Sequence, residues 1–275
     1  MINDKISEKN RGFAIAFCEK YHYNEKTIMM GGDGLLGEVL ALLSGTGGMG
    51  KSCLAAGLAI ALAKSGKKVL CVDCQSGFGT LDIYLGMESQ DILSYADICR
   101  GDYPLSRAAV HPDFKTLSFL AAPVRTEPAT DGFSSVIGRA KKEYDFVFLN
   151  APAGFGEMAG FTAQLADRCI VVCSIDPISI RTAGRVADQL QLLGKTDVRL
   201  VVSRLQPDMM KTMKQNVDDI MDRVGLPLLG LVPEDEQVTL LSAAGKFPMG
   251  KKWAFAAFER ITRRIQGQAV PVPTR

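Results

Sequence analysis

A short apolar run at residues 39–43 leads into Gly45-Thr46-Gly47-Gly48-Met49-Gly50-Lys51-Ser52, and an alanine-rich helical stretch follows at once. The glycines let the backbone curl so that its N–H groups converge on one point, where the N-terminus of the next helix adds partial positive charge. A lysine and a hydroxyl closing such a loop suit the outer phosphates of a nucleotide and the Mg²⁺ ion that travels with them. The loop therefore restricts the chain to architectures in which a strand, this turn and a helix follow one another. A glycine turn of purely structural role has no use for the Lys51-Ser52 pair.

The rest of the chain supplies that architecture. Apolar runs at 39–43, 68–72, 117–121, 146–149, 170–173, 198–202 and 228–231 read as buried strands. Longer stretches at 52–65, 131–143, 158–166, 179–193 and 209–224 read as helices between them. Strands that are continuously apolar, rather than alternating, belong to a mostly parallel sheet covered on both faces. The expected fold class is thus α/β, a doubly wound sheet with helices on both sides, in one domain. No internal repeat, low-complexity tract or linker divides it. Residues 1–36 differ in composition and are expected to form a flexible N-terminal extension. There Phe13, Ala16 and Phe17 make one short apolar face, to be weighed against a weakly ordered tail or an upstream start ahead of Met29 or Met30.

Charge and cysteine content narrow the function classes. The 32 basic and 30 acidic side chains nearly cancel, so no global field favours nucleic acid or an anionic membrane, and no direct nucleic-acid contact is expected. Seven cysteines are scattered through apolar runs, as suits a reducing compartment. Cys71 and Cys74 form a CxxC, but no second ligand pair follows at zinc-finger spacing, so burial is the simpler reading. The two histidines, His22 and His111, have no triad or metal partner nearby in sequence. No run is long enough to span a membrane, and an export-signal pattern is missing at the N-terminus, so a cytoplasmic location is expected.

With these motifs in view, the chain resembles the MinD/ParA family of P-loop ATPases over about residues 37–266. Beyond the loop, Val72-Asp73-Cys74-Gln75-Ser76-Gly77 and Leu81-Asp82 resemble the family's first switch. Asn150-Ala151-Pro152-Ala153-Gly154 stands where the family has Asp-x-Pro-Ala-Gly. Val201-Val202-Ser203-Arg204-Leu205 resembles its Asn-Arg-Leu segment beside the adenine, and Val232-Pro233-Glu234-Asp235 its Val-Pro-Glu-Asp stretch. The resemblance implies ATP or ADP bound with Mg²⁺. It assigns the nucleotide to Gly45, Thr46, Gly47, Gly48, Met49, Gly50, Lys51, Ser52, Cys53, Ser203 and Arg204. It assigns catalytic roles to Asp73 and Gln75, and the metal to Ser52, Asp73 and the Asn150 position. It also implies a homodimer, or a heterodimer with an active relative, and protein partners from a division or positioning system.

The chain departs from the family at linked positions. The lysine that reaches across an ATP-bridged dimer is Thr46, which is short and uncharged. The second switch aspartate is Gln75, which can orient a water but cannot act as a carboxylate base. The metal-supporting aspartate after the fourth strand is Asn150, an amide without the charge that attracts a hydrated ion. Thr182 replaces an aspartate near the dimer contact, and Ser203 an asparagine near the adenine. Binding is expected to survive while hydrolysis is weak or lost, which makes the protein a positional scaffold or a partner of an active relative. The alternatives are an active ATPase cycling between monomer and dimer, with Asp73 or Asp82 supplying the missing charge, and an interaction module that has lost nucleotide.

At the C-terminal end, Ala254, Phe258, Ile261 and Ile265 recur at helical spacing beside Lys251, Lys252, Arg260, Arg263 and Arg264. By position this matches the family's last core helix, against the alternative of a surface-seeking segment led by Trp253. Residues 267–275, with two prolines, are expected to be a disordered tail and cannot form the family's membrane-targeting helix.

Overall fold

In the computed structural model, which describes residues 36–88, 91–124, 131–247 and 253–271, each of the seven apolar runs is a strand. These are β1 (Glu38–Leu43), β2 (Val69–Asp73), β4 (Leu117–Leu120), β5 (Phe146–Asn150), β6 (Arg168–Cys173), β7 (Val198–Leu205) and β8 (Leu228–Pro233). An eighth, β3 (Ala109–Val110), is a two-residue antiparallel edge that the sequence does not announce. The sheet order is β3-β4-β2-β5-β1-β6-β7-β8, parallel throughout except at β3. The long stretches become α1 (Lys51–Lys64), α4 (Phe133–Glu143), α5 (Glu157–Leu165) and α6 (Pro177–Leu192).

The 209–224 stretch is not one helix but two, α7 (Pro207–Thr212) and α8 (Val217–Val224). Lys214 adopts φ 51 between them, and Asn216 opens α8 with a reciprocal cap: its side chain accepts from Asp219 N while Asp219 accepts from Asn216 N. A capping box of this kind starts a new helix more cheaply than the chain can continue through a left-handed residue. Three further short helices, α2 (Leu81–Leu85), α3 (Tyr95–Cys99) and α9 (Glu236–Ala243), carry no sequence period long enough to read.

Alternation along β1 divides the core. Val39, Ala41 and Leu43 point into one apolar layer with α4, α5 and α6, and Leu40 and Leu42 into the other with α1 and the C-terminal helix α10 (Trp253–Ile265). In α10, Ala254, Phe255, Phe258, Ile261 and Ile265 are all buried, which gives its apolar face to the core rather than to a membrane. Lys251, Lys252 and the side chain of Trp253 lie outside the described residues, as do 1–35 and 272–275. The start of the 267–275 segment, expected to be disordered, is tied down instead, since the Arg264 guanidinium donates to Val270 O at 2.8 Å and 2.6 Å. Among the described residues, no helix is long and apolar enough to cross a membrane.

Gly57, in the middle of α1, lets α10 approach closely. A Cβ there would lie 2.4 Å from Cδ2 of Phe258. Glycine to alanine in a helix ordinarily gains about 1 kcal/mol, but overpacking costs about 1–3 kcal/mol. Gly57→Ala is therefore expected to destabilise, with a melting temperature lowered by about 2–4 °C per kcal/mol in a domain of this size. A raised Tm would show that the α1–α10 contact is looser than described.

Cys71, Cys74 and His111 are structural. Cys71 and Cys74 are fully buried and form no disulfide, and burial pushes both thiols above their ordinary range. His111 is buried, with Nδ1 facing the N–H groups of Asp113 and Phe114 and Nε2 against Leu85 O at 2.9 Å. That pattern fits a neutral ring, and desolvation lowers its pKa accordingly.

Candidate functional site

The loop 44–50 begins where β1 ends, at the centre of the sheet, and its crevice lies outside the carboxyl ends of the parallel strands where open α/β folds bind ligands. Gly48 and Gly50 both take φ 78, a left-handed turn that a side chain would strain. Gly45 allows close approach to α6, because a Cβ there would fall 2.4 Å from Cβ of Thr182. Ser44 O accepts from Gly154 N at 2.9 Å, which joins the loop to the Asn150–Gly154 segment. Ser203 Oγ donates to Met49 O, and the Arg204 guanidinium reaches Gly48 O at 3.1 Å and Glu234 at 2.8 Å. Arg204 itself adopts φ 54.

The register explains how distant residues meet. β5 lies between β1 and β2, so Asn150 pairs with Leu42 on one side and with Asp73 on the other. Lys51, the first residue of α1, extends under the loop to Asn150 Oδ1 at 3.2 Å and to Ala151 O. Asn150 Nδ2 in turn donates to Asp73 Oδ1 and Ser52 Oγ, both at 3.2 Å. This amide orientation is forced, since an ammonium only donates and a carboxylate only accepts. Gln75 Nε2 donates to Ser52 Oγ as well, at 3.2 Å.

Lys51, Asp73 and Asn150 are 6%, 1% and 0% exposed. Burial pulls the Lys51 ammonium down to about 8, opposed by the Asp73 carboxylate. Burial pushes the Asp73 carboxyl up, opposed by the N–H groups of Leu81, Gln75 and Thr80 and by Lys51. Burial, followed by Glu234 and Asp235, raises the Cys53 thiol to about 12.

Above this floor opens a cleft of about 390 Å³. It gathers Gly47, Gly48, Met49, Gly50, Lys51, Ser52, Cys53, Gln75, Ser203 and Arg204 from the sequence-derived set; Gly45, Thr46, Asp73 and Asn150 do not line it. Asp73 and Asn150 lie behind the loop instead. Sequence reading missed Tyr84, Val238, Thr239 and Phe258, which form the cleft's walls. No motif marks them. Tyr84 follows the Leu81-Asp82 pair by one helical turn at most, and Phe258 is a core residue whose ring edge happens to reach the cleft.

The residues carried over to Mg²⁺ do not fit a divalent cation. Asp73 Oδ1 accepts from Gln75 N at 3.1 Å and from Asn150 Nδ2; Oδ2 accepts from Thr80 N at 3.0 Å and Leu81 N at 3.1 Å. A carboxylate has about four lone-pair sites, and four donors fill them. Ser52 Oγ faces two amide donors. Among the described residues no group of three or more His, Cys, Asp or Glu side chains is arranged to hold a metal.

The strand–loop–helix turn at the centre of a parallel sheet, with a buried lysine behind it, defines a P-loop nucleotide-binding fold. Residues 40–249 match the CobQ/CobB/MinD/ParA nucleotide binding domain. The septum site-determining protein MinD of Bacillus subtilis is 31% identical over 247 residues, covering 86% of this chain and 92% of its own. The MinD cell division protein of Aquifex aeolicus superposes with a TM-score of 0.78 at 28% identity, covering 86% of this chain and 99% of that one. A chain of the MinC:MinD cell division protein complex of the same organism gives 0.77 at 28% identity, with 86% of this chain and 98% of that one covered. The chain belongs to the MinD/ParA family.

Proposed function

We propose that this protein is an ATP-binding member of the family with weak or lost hydrolysis, acting as a positional scaffold or as the partner of an active relative. Residues 37–266 are the nucleotide-binding unit in this reading. The observation that carries it is the split within one site. The donors that bind phosphate, Lys51 and the loop N–H groups, are intact, whereas the groups around Ser52 are the amides of Gln75 and Asn150. The remaining carboxylate, Asp73, is held by its own loop and by Asn150 and cannot also serve as a base for water. Gly45 to Cys53 would cradle the phosphates, with Ser203 and Arg204 on the base side. Thr46 offers no cation to a neighbouring copy, and a MinC-like protein is the kind of partner that the relatives suggest.

ATP binding by calorimetry and steady-state phosphate release, measured on one preparation, test this directly. Tight binding with negligible release is the expected result. Robust turnover would make the protein a working ATPase and end the scaffold reading. Absence of binding would leave an interaction module.

The Lys51 environment adds a pH signature. In the free protein burial lowers the Lys51 ammonium to about 8, and a bound phosphate would raise it. Binding above that pH must therefore take up a proton, and affinity should fall by up to about tenfold per pH unit there. Calorimetry at alkaline pH in buffers of different ionisation enthalpy measures the uptake. A pH-independent affinity between pH 7 and 9.5, on the order of two pH units, would place the phosphates out of contact with Lys51.

A further inference from the structure

Three oxygen-bearing side chains stand where a divalent cation would be expected, and each is already committed. The Asp73 carboxylate has its four acceptor positions filled by the N–H groups of Gln75, Thr80 and Leu81 and by the Asn150 amide. The Asn150 oxygen is turned away to the Lys51 ammonium. It cannot flip, because that would set the amide NH₂ against the ammonium and its oxygen against the carboxylate. The Ser52 hydroxyl meets N–H donors from Gln75 and Asn150 at 3.2 Å each, matching the two lone pairs of a hydroxyl. Mg²⁺ demands near-octahedral oxygen ligation, and here the protein offers N–H groups.

What the same groups present to an anion is the reverse. Lys51 and the loop backbone are donors, the N-terminus of α1 carries partial positive charge, and the Arg204 guanidinium stands at the rim. Gln75 is half-buried and lines the cleft, and its amide carries two N–H donors, so one can stay on Ser52 Oγ while the other meets a terminal phosphate oxygen. The carboxylates that line the same cleft already have partners, Glu234 accepting from Arg204 at 2.8 Å and Asp235 from Gln237 N at 3.0 Å.

Resting on the reading that this cleft holds a nucleotide, we propose that it takes the di- or triphosphate as the bare anion, without a divalent cation. Asn150 and Gln75 are then not decayed metal partners. They are the groups that close the metal position and replace its charge with hydrogen-bond donors. Asn150 additionally links Lys51 to Asp73, so the buried cation and the buried carboxylate are bridged without a third charge.

The test is calorimetry of the full chain with ATP, once in excess EDTA and once in Mg²⁺. The expected dissociation constants agree within about threefold, whereas losing a true metal partner changes affinity by about 10 to 100-fold. Binding that requires Mg²⁺, or is tenfold tighter with it, overturns the inference while leaving nucleotide binding itself intact. Binding in neither condition defeats the nucleotide reading, and this inference with it. The variant Gln75→Asp supplies an independent arm at a half-buried position. It replaces one donor at Ser52 with a carboxylate and is expected to weaken binding in EDTA by about tenfold relative to binding in Mg²⁺. An unchanged ratio in that variant means the Gln75 amide does not set the metal preference, and the proposal falls.

Discussion

Lys51→Ala is expected to weaken ATP binding by at least about 100-fold, since hydrogen bonds from a charged donor contribute about 1.5–3 kcal/mol and two phosphates share this one. The effect on stability is a separate matter. Removing the side chain leaves Asn150 Oδ1 and Ala151 O without their donor, which costs about 1–3 kcal/mol for a buried acceptor. It also relieves the burial of a cation whose pKa is already depressed, so the two terms oppose each other. Loss of binding with a Tm close to wild type is therefore the informative result. Retention of micromolar binding by a folded Lys51→Ala protein would mean that the cleft holds its ligand by the base and the Arg204 side, and the phosphate-loop assignment would fail.

The sheet was legible because parallel strands are buried on both faces, so 39–43 and 170–173 stand out as unbroken apolar runs. β3 was not, since two residues paired at an edge carry no pattern. Nor was the break between α7 and α8, although Asn216 and Asp219 are at capping-box spacing. The apolar period of the two helices runs on through it, and the positive φ at Lys214 falls on a residue that does not advertise it. The core role of α10 was readable from its period together with the prolines beyond it.

The site divides along the same line. The loop at 45–52 is contiguous, so its chemistry could be read directly from residue types. Asp73, Asn150 and Ser203 became site residues only through the resemblance, and the pairing of β5 with β1 and β2 is what joins them. Residue type gives an amide at 150 but not the direction in which it points. That direction turns Asn150 from a weakened metal partner into a bridge between Lys51 and Asp73, and it depends on three side chains from separate strands and a helix. The saturation of Asp73 is likewise a property of backbone N–H groups that no side-chain motif records. Tyr84 and Phe258 line the cleft for reasons of tertiary packing alone.

Restoring the family residues with Thr46→Lys, Gln75→Asp and Asn150→Asp together is expected to raise phosphate release from background by at least about 100-fold. A metal partner accounts for about 10 to 100-fold, and a cation placed on transferring phosphate for about 10³ to 10⁵-fold. The geometry adds a condition that residue types alone do not supply. An aspartate at 150 would set one of its oxygens near the present Nδ2 position, 3.2 Å from Asp73 Oδ1, and would remove the donors that Asp73 and Ser52 now use. Two carboxylates at that distance repel strongly in a buried site. The triple variant should therefore melt below wild type in EDTA and recover in Mg²⁺, whereas the Tm of wild type should be indifferent to the ion. Gain of turnover and gain of ion-dependent stability must then appear together, because both come from the same change from donors to charged acceptors around Ser52. Turnover as slow as wild type in a variant that Mg²⁺ does stabilise would separate the two. It would place the block on hydrolysis elsewhere, with the backbone-bound Asp73 or the threonine at 182 as the next positions to change.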